Sequence, residues 1–134
     1  MRKILSLFVF IVFYGCGSEI VQNTCFNGVR LNEVINLSNP EFIDLQVPNG
    51  SAITRIGGRT VLVIRRNSHY QAFDLECPEK NCGSPMTYDG LKLKCPCDNK
   101  EYNSLNGSPL NNEGCFALEY NVLQINSSSL QISR

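Results

Sequence analysis

Hydrophobic residues in this chain occur mainly in short runs that are separated by glycine, asparagine, serine and proline. Residues 60–65 form the clearest run, which is apolar at enough consecutive positions to be a strand buried on both faces. Shorter runs lie before it at residues 52–56 and after it at residues 70–75. The spacing that marks an amphipathic helix is nearly absent. The pattern therefore predicts an all-β chain.

The same pattern predicts further strands closer to the C-terminus. Residues 91–94 alternate between leucine and lysine, and residues 116–125 and 130–132 are predicted to pair as a hairpin across a run of serines. An apolar run at residues 42–47 ends at a strong Pro-Asn-Gly turn signal. Short strands at this spacing favour an antiparallel β-sandwich or small barrel, from which two loops rich in cysteine, proline and glycine project.

The N-terminal residues have the features of an export signal. Arg2 and Lys3 precede an apolar run at residues 4–14, which is far shorter than the roughly 20 residues that a spanning helix needs. The run leads to a glycine followed by Cys16, which resembles the lipobox of bacterial lipoproteins. That resemblance implies a signal peptide and lipobox at residues 1–16, with lipid on Cys16. Ordinary secretion is the alternative.

Lipidation implies a position outside the cytoplasm. Acyl chains insert into a bilayer with about 0.8 kcal/mol per buried CH₂, so we expect a protein anchored to a bacterial membrane. It would face the periplasm or the cell surface, on the outer membrane if the cell has two membranes. Residues 17–23 are then a short tether, and residues 24–134 form one domain. Disulfide bonds persist in such compartments.

The composition argues against several functions. The chain has 12 basic and 12 acidic residues and a net charge of zero, so nucleic acid is not an expected partner. Its single histidine, His69, lies in a predicted turn, and no catalytic triad can be assembled with it. We therefore expect no enzyme activity. The expected partners are the membrane, through the lipid, and an unidentified redox or other protein.

The cysteines carry the candidate chemistry. Setting Cys16 aside from the 7 cysteines leaves an even number, which is compatible with complete pairing in disulfide bonds. Four of them lie in two short loops, at residues 77–82 and 95–98. The first loop reads Cys-Pro-Glu-Lys-Asn-Cys, and the second reads Cys-Pro-Cys-Asp.

This layout resembles the two cysteine loops of Rieske iron–sulfur proteins. Their pattern is Cys-x-His followed by Cys-x-x-His, with an additional cysteine in each loop of the higher-potential members. The four cysteines that match are Cys77, Cys82, Cys95 and Cys97, and the flanking segments match over roughly residues 40–134. The resemblance implies a Rieske-like antiparallel β-sandwich or barrel with a small cysteine-loop subdomain. It also implies a disulfide bond between Cys82 and Cys97.

The resemblance further implies a [2Fe-2S] cluster, whose ligand positions are Cys77, Glu79, Cys95 and Asp98. The family has histidine at the positions of Glu79 and Asp98. Two carboxylates would make the oxidised cluster roughly dianionic, and carboxylate is a harder donor than imidazole. We therefore expect no cluster, while Cys77 and Cys95 stay candidate metal ligands.

The cysteines have an alternative role in a chain without iron. Thiolates that share a tetrahedral metal, with bonds of about 2.3 Å, need only a small shift to form a disulfide bond of about 2.05 Å. We therefore expect Cys77 to bond with Cys95 when no metal is present. Cys25 and Cys115 are the remaining pair, and we expect them to connect the N-terminal segment to the last strands.

Three functions stay open at this point. The first is a cluster-free Rieske-fold lipoprotein that serves as a membrane-anchored structural or interaction module. The second is an electron-transfer protein that carries a [2Fe-2S] cluster. The third is a thiol–disulfide redox module that uses the Cys95-Pro96-Cys97 segment.

Overall fold

A curled antiparallel sheet, a small second sheet and one 3-10 helix make up residues 25–134, which the computed structural model describes. The predicted signal peptide, Cys16 and the tether at residues 17–23 lie outside the described residues. The 3-10 helix spans Pro40–Gln46. The strands are β1 (Asn32–Asn36), β2 (Ser51–Ile56), β3 (Arg59–Arg65), β4 (Tyr70–Asp74), β5 (Thr87–Tyr88), β6 (Lys92–Lys94), β7 (Glu101–Asn103), β8 (Glu119–Asn126) and β9 (Ser129–Ser133). No helix in this range is long and apolar enough to cross a bilayer.

The main sheet has the strand order β1-β9-β8-β4-β3-β2, and each strand is antiparallel to its neighbours. Hairpins join β2 to β3, β3 to β4 and β8 to β9. Strand β4 also pairs with β8, and β1 pairs with β9, although the members of each pair are far apart in the sequence. A register shift between Gln124 and Asn126 interrupts the β8–β9 ladder, and such bulges bend a strand and help a sheet to curl.

Strand β3 lies between two hydrophobic cores because it is apolar at four consecutive positions. Val61 and Val63 belong to the first core, which the 3-10 helix covers through Phe42. Leu62 and Ile64 belong to the second core. All four strand residues are 0% exposed. The prediction of a strand buried on both faces is confirmed.

The second core lies between the main sheet and the small sheet, which has the order β5-β6-β7. Its members are Leu62, Ile64, Phe73, Leu75, Cys77, Met86, Leu93, Cys95, Tyr102 and Ala117. Cys77 and Cys95 are therefore part of a packed hydrophobic core. This small sheet with its loops is the cysteine-rich subdomain that the sequence predicts.

The apolar run at residues 42–47 is mostly helical. Pro40 stands in the first turn of the 3-10 helix, where its fixed φ angle fits. Phe42 and Leu45 are three residues apart and therefore share one side of a 3-10 helix, the side that is buried.

The strand predicted at residues 116–125 begins later than expected. Strand β8 starts at Glu119 and not at residue 116, because the Ala117 amide donates to the Gly107 carbonyl at 2.8 Å outside the ladder. Strands β1, β5 and β7 are not predicted by the hydrophobic pattern. β1 is mostly exposed, and β5 and β7 have two and three residues.

Candidate functional site

Two loops of the small subdomain carry the predicted site residues. The first cysteine loop (residues 75–86) runs from β4 to β5, and the Met86 amide closes its base by donating to the Leu75 carbonyl at 2.7 Å. The second cysteine loop (residues 95–100) joins β6 to β7. The Cys95 amide closes it by donating to the Lys100 carbonyl at 2.9 Å. Both loop bases are therefore fixed by the backbone.

Two disulfide bonds join the first loop to the second. Cys77 bonds with Cys95, and Cys82 bonds with Cys97; the Cα atoms of each pair are 5.6 Å apart. Cys77 and Cys95 are 1% and 0% exposed, so their bond lies inside the second core. Cys95 and Cys97 belong to different bonds. The Cys95-Pro96-Cys97 segment is therefore not a disulfide pair by itself.

The N-terminal end of the described chain lies beside the cysteine loops. Cys25 forms a disulfide bond with Cys115, in the segment that precedes β8. The Lys80 ammonium of the first loop lies 5.6 Å from the centre of the Phe26 ring, a cation–π distance. The expected link from the N-terminal segment thus reaches the segment before the last hairpin.

The Glu79 carboxylate accepts hydrogen bonds from other parts of the domain. Its Oε1 atom accepts hydrogen bonds from Lys100 Nζ at 3.1 Å and from the Cys115 amide at 3.2 Å. The Cys115 amide, and next Lys100, lower the pKa of Glu79 below its ordinary value of 4.5. A Cβ atom at Gly114 would overlap Glu79 Oε1, so glycine permits this approach. Glu79 therefore connects both cysteine loops and the segment before β8.

Asp98 has a similar role in the second loop. Its Oδ1 atom accepts the Lys100 amide at 2.9 Å, and its Oδ2 atom accepts the Asn81 side-chain amide at 2.9 Å. The Asn81 hydrogen bond, and next the Lys100 amide, lower the pKa of Asp98 below its ordinary value of 3.8. At neutral pH both carboxylates are ionised and act as acceptors between the loops.

This set of donors does not fit a Rieske cluster. Such a cluster needs thiolates on one iron and neutral imidazoles on the other. Here the Cys77 and Cys95 sulfurs are bonded to each other. The carboxylates of Glu79 and Asp98 already accept hydrogen bonds from amide and ammonium groups. Carboxylate is also a harder ligand than a sulfide-bridged iron prefers.

His69 does not supply a missing imidazole. It lies in the exposed turn between β3 and β4, where its Nδ1 atom is 3.4 Å from Ser68 Oγ. Cys77 comes after the opposite end of β4. A strand of 5 residues spans roughly 15 Å at about 3.3 Å per residue. The histidine of this chain therefore lies away from the cysteine loops, as a solvated turn residue.

Tyr102 is a buried polar group beside the disulfide bonds. It is 0% exposed and packs in the same core as Cys77 and Cys95. Its hydroxyl has no hydrogen-bond partner among residues 25–134. Desolvation, with smaller contributions from the charges of Asp98 and Glu79, raises the pKa of Tyr102 to about 12. The site therefore contains a neutral hydroxyl, that of Tyr102, which forms no hydrogen bond within residues 25–134.

An ion-pair network fixes the start of the first loop. The Arg59 guanidinium donates to the carboxylates of Asp74 and Glu76, and the Tyr120 hydroxyl donates to Asp74 Oδ2 at 2.6 Å. Asp74 is 1% exposed and also accepts the Glu76 amide at 2.8 Å. The hydrogen bond to Asp74 is the main cause that raises the pKa of Arg59. Arg59, Asp74 and Glu76, together with Cys82, border a cleft of about 350 Å³.

Sequence reasoning does not identify the residues that hold the two carboxylates. Lys100 lies two residues after Asp98, and an aspartate often accepts the amide at that position in an Asx turn. That spacing could have indicated the local bond. Asn81 and Gly114 have no comparable signal, because they become neighbours of the carboxylates only in the folded chain.

Comparison of the sequence with protein-family models gives no match, and neither does a search of curated proteins. Solved structures do match. The chain superposes on the E. coli protein NirD with a TM-score of 0.50 and 12% identity, covering 79% of this chain and 98% of that one. A protein described as an NADH-dependent nitrite reductase small subunit from Mycobacterium tuberculosis gives a TM-score of 0.50, 12% identity and coverage of 79% and 96%.

A third similar structure is the ferredoxin of carbazole 1,9a-dioxygenase from Nocardioides aromaticivorans IC177. It has a TM-score of 0.48 and 17% identity, and the match covers 78% of this chain and 94% of that one. At such identities it is the fold that is shared. The two neighbours with a TM-score of 0.50 confirm the predicted all-β, Rieske-like architecture with a cysteine-rich subdomain.

Proposed function

We propose that this chain is a Rieske-fold lipoprotein that works without the cluster of the family, as a structural or interaction module outside the cytoplasm. The observation that carries the proposal is the engagement of Glu79 and Asp98. Both carboxylates are hydrogen-bonded across the cysteine loops, so the positions that hold histidine in the family serve here to join the loops. Two disulfide bonds reinforce the same junction covalently.

The proposal places the domain on a membrane through lipid on Cys16. In this scheme residues 1–16 are the signal peptide and lipobox, residues 17–23 are a tether, and residues 24–134 are the displayed domain. Disulfide bonds between the loops are consistent with an oxidising compartment. The partners are the bilayer and a protein on the same side of the membrane. A net charge of zero offers nucleic acid no general attraction.

Analysis of iron and acid-labile sulfide in the mature protein tests the absence of a cluster. We expect a colourless protein with iron and sulfide far below stoichiometric amounts. A reddish-brown preparation with visible absorption and stoichiometric iron and sulfide would contradict the proposal.

Labelling with a radioactive fatty acid tests the membrane anchor. The full chain, expressed in a bacterial host, should incorporate label and enter the detergent phase on partition. A Cys16→Ser variant should lose both properties while its disulfide-bonded domain still folds. Retention of the label by this variant would exclude Cys16 as the lipid site.

Electron transfer through a [2Fe-2S] cluster is the second candidate function, and the Tyr102 hydroxyl favours it. Hydrogen bonds to the sulfurs are one of the factors that set a cluster's potential, and Tyr102 has a donor available within the same core as Cys77 and Cys95. A Glu79→His, Asp98→His double variant tests whether the scaffold accepts a cluster. It should gain visible absorption that the parent lacks. A cluster already present in the parent would establish the second candidate instead.

A further inference from the structure

We infer that the two bonds between the cysteine loops form a relay for an electron pair. The outer bond (Cys82–Cys97) receives the pair from an external dithiol, and the inner bond (Cys77–Cys95) is reduced through Cys82. The inference goes beyond a structural role for the bonds. It rests on the proposed function in one respect, which is that the inner cysteines hold no cluster. It also differs from exchange within Cys95-Pro96-Cys97, because both of these cysteines are bonded to the first loop.

The sulfur positions bring the two bonds together. The Sγ atoms of Cys77, Cys82 and Cys95 lie within 4.8 Å of one another. One sulfur of the outer bond is therefore next to both sulfurs of the inner bond. It needs to approach by less than about 3 Å to reach the S–S bond length of about 2.05 Å. In the part of the chain that the structure describes, this group of three sulfurs does not include Cys97.

Solvent exposure gives the relay its direction. Cys97 is exposed and Cys82 is partly exposed, whereas Cys77 and Cys95 are buried. Cys82 also borders the cleft beside Arg59, which is open to solvent. An external thiol therefore meets the outer bond first.

The segment around Cys82 has few buried contacts, although Cys82 itself packs against the second core. Residues 80–85 are exposed except for Cys82 itself, which is partly exposed. Segments with few buried contacts open at low free-energy cost. The hydrogen bond from the Met86 amide to the Leu75 carbonyl keeps the base of the loop closed while residues 80–85 move. The approach of Cys82 to the inner bond therefore does not require the domain to unfold.

Disulfide exchange proceeds by attack of a thiolate on a sulfur atom of the bond. A thiolate of the external dithiol attacks Cys97 Sγ, a mixed disulfide forms, and the outer bond breaks with its electron pair on Cys82. The Cys82 thiolate then attacks Cys77 or Cys95. A new bond to Cys82 forms, and the inner bond breaks with its pair on the other inner sulfur.

Further attacks complete the transfer. The second thiolate of the donor attacks the donor sulfur that is bonded to Cys97, which leaves the donor as a disulfide and Cys97 as a thiolate. The Cys97 thiolate attacks Cys82, which restores the outer bond and breaks the bond between Cys82 and the inner cysteine, whose sulfur keeps the electron pair as the second inner thiolate. In sum, the donor dithiol loses two electrons and two protons, and the inner bond becomes two thiols. No other oxidant or reductant is needed.

A Cys97→Ser variant tests the exchange between the bonds. Cys82 is then left as a thiol beside the inner bond. We expect peptide mapping after acid quenching and alkylation to show three pairings, namely Cys77–Cys95, Cys77–Cys82 and Cys82–Cys95. A single Cys77–Cys95 bond together with fully alkylated Cys82 would overturn the inference.

A Cys82→Ser variant is the matched control. It leaves Cys97 as the thiol, and Cys97 is outside the group of three close sulfurs. This variant should show one inner bond, Cys77–Cys95, and alkylated Cys97. Mixed pairings of Cys97 with the inner cysteines, as frequent as those of Cys82 in the first variant, would overturn the inference.

Reduction of the native protein by limiting dithiothreitol provides a second measurement that does not depend on the Cys97→Ser variant. Thiols at Cys77 and Cys95 should appear at least about tenfold faster in the wild type than in the Cys82→Ser variant. The Cys25–Cys115 bond is an internal reference and should be reduced at the same rate in both proteins. Equal rates for the inner bond would overturn the relay.

Iron analysis of the same wild-type sample separates the two proposals. Stoichiometric iron and sulfide, with no Cys77–Cys95 bond in the peptide map, would contradict the cluster-free function and the relay with it. An iron-free protein whose inner bond does not exchange would contradict only the relay.

Discussion

Lys100 Nζ lies 3.1 Å from Glu79 Oε1, so a cation of the second cysteine loop holds a carboxylate at the tip of the first. The two side chains are 33% and 29% exposed, and solvent therefore screens this pair in part. Asp98 adds a second link between the loops through Asn81. We call these four residues the polar junction. Two of its members, Glu79 and Asp98, stand at the positions where the sequence resemblance to the Rieske family leads us to expect histidine ligands.

Replacement of Lys100 by methionine should raise the pKa of Glu79 toward its ordinary value of 4.5, because one of the groups that lower it is removed. The free energy of unfolding should fall by at most about 1 kcal/mol, as is usual for a partly exposed ion pair. NMR titration of the Glu79 carboxyl and urea denaturation measure these effects. Lys94→Met is a control, since Lys94 lies in β6 and forms no ion pair in the described part of the chain. An equal change in the pKa of Glu79 in both variants would contradict the role of Lys100 in lowering that pKa.

Replacement of Gly114 by alanine should destabilise the domain and separate Glu79 from the Cys115 amide. The φ angle of Gly114 is +95°, and a Cβ atom there would overlap the Glu79 carboxylate. Gly90→Ala is the matched control, because Gly90 has a φ of +96° and nothing within 4 Å of an added Cβ. We expect about 1 kcal/mol of destabilisation from the backbone in both variants, and more for Gly114→Ala. Equal losses on urea denaturation would mean that the Glu79 contact contributes nothing.

The stability of the domain should decrease as the pH falls below about 4.5. The pKa values of Glu79 and Asp98 are lower in the folded chain than their ordinary values of 4.5 and 3.8. Each carboxylate therefore stabilises the fold fully above its unfolded pKa, and this contribution is lost as the pH falls through the folded pKa. Urea denaturation at a series of pH values should show a weaker acid dependence in a Glu79→Gln variant. The exposed Glu33 provides the control, as Glu33→Gln should keep the wild-type profile.

Replacement of Arg59 by methionine should cost about 3 kcal/mol of unfolding free energy, because it leaves the carboxylate of the buried Asp74 without its cation. The hydrogen bonds from Tyr120 and the Glu76 amide remain, so we expect a folded but less stable protein. Arg55→Met on the exposed face of β2 is the control and should change stability by less than about 0.5 kcal/mol. Similar losses in the two variants, measured by thermal unfolding, would exclude a special role for Arg59.

The centre of the fold could be predicted because its signals are local. Four consecutive apolar residues in β3 require two cores, and the spacing of the four loop cysteines is specific enough to indicate a Rieske-like subdomain. The paired loop cysteines follow from that likeness and from the short distance between two thiolates on one metal. These parts depend on residue types that have few alternative structural uses.

The polar junction could be predicted only in part. Glu79 and Asp98 are evident as substitutions in a known pattern, but nothing in the sequence indicates that Asn81, Lys100 and the Cys115 amide bind them. Hydrogen bonds between distant segments depend on the folded positions of the loops. Strand β5, with two residues, is missed for a different reason, since a run of this length has no detectable period.

The Cys25–Cys115 bond limits how far the cysteine loops can lie from a membrane that holds Cys16. It fixes the start of the described domain beside the cysteine loops. With Cys16 as the lipid site, the nine steps from Cys16 to Cys25 reach at most about 30 Å when fully extended. The cysteine loops would then lie within about that distance of the lipid headgroups, whereas the β3–β4 turn with His69 lies at the opposite end of β4. A redox partner of the loops would accordingly be a neighbour in, or on, the same bilayer.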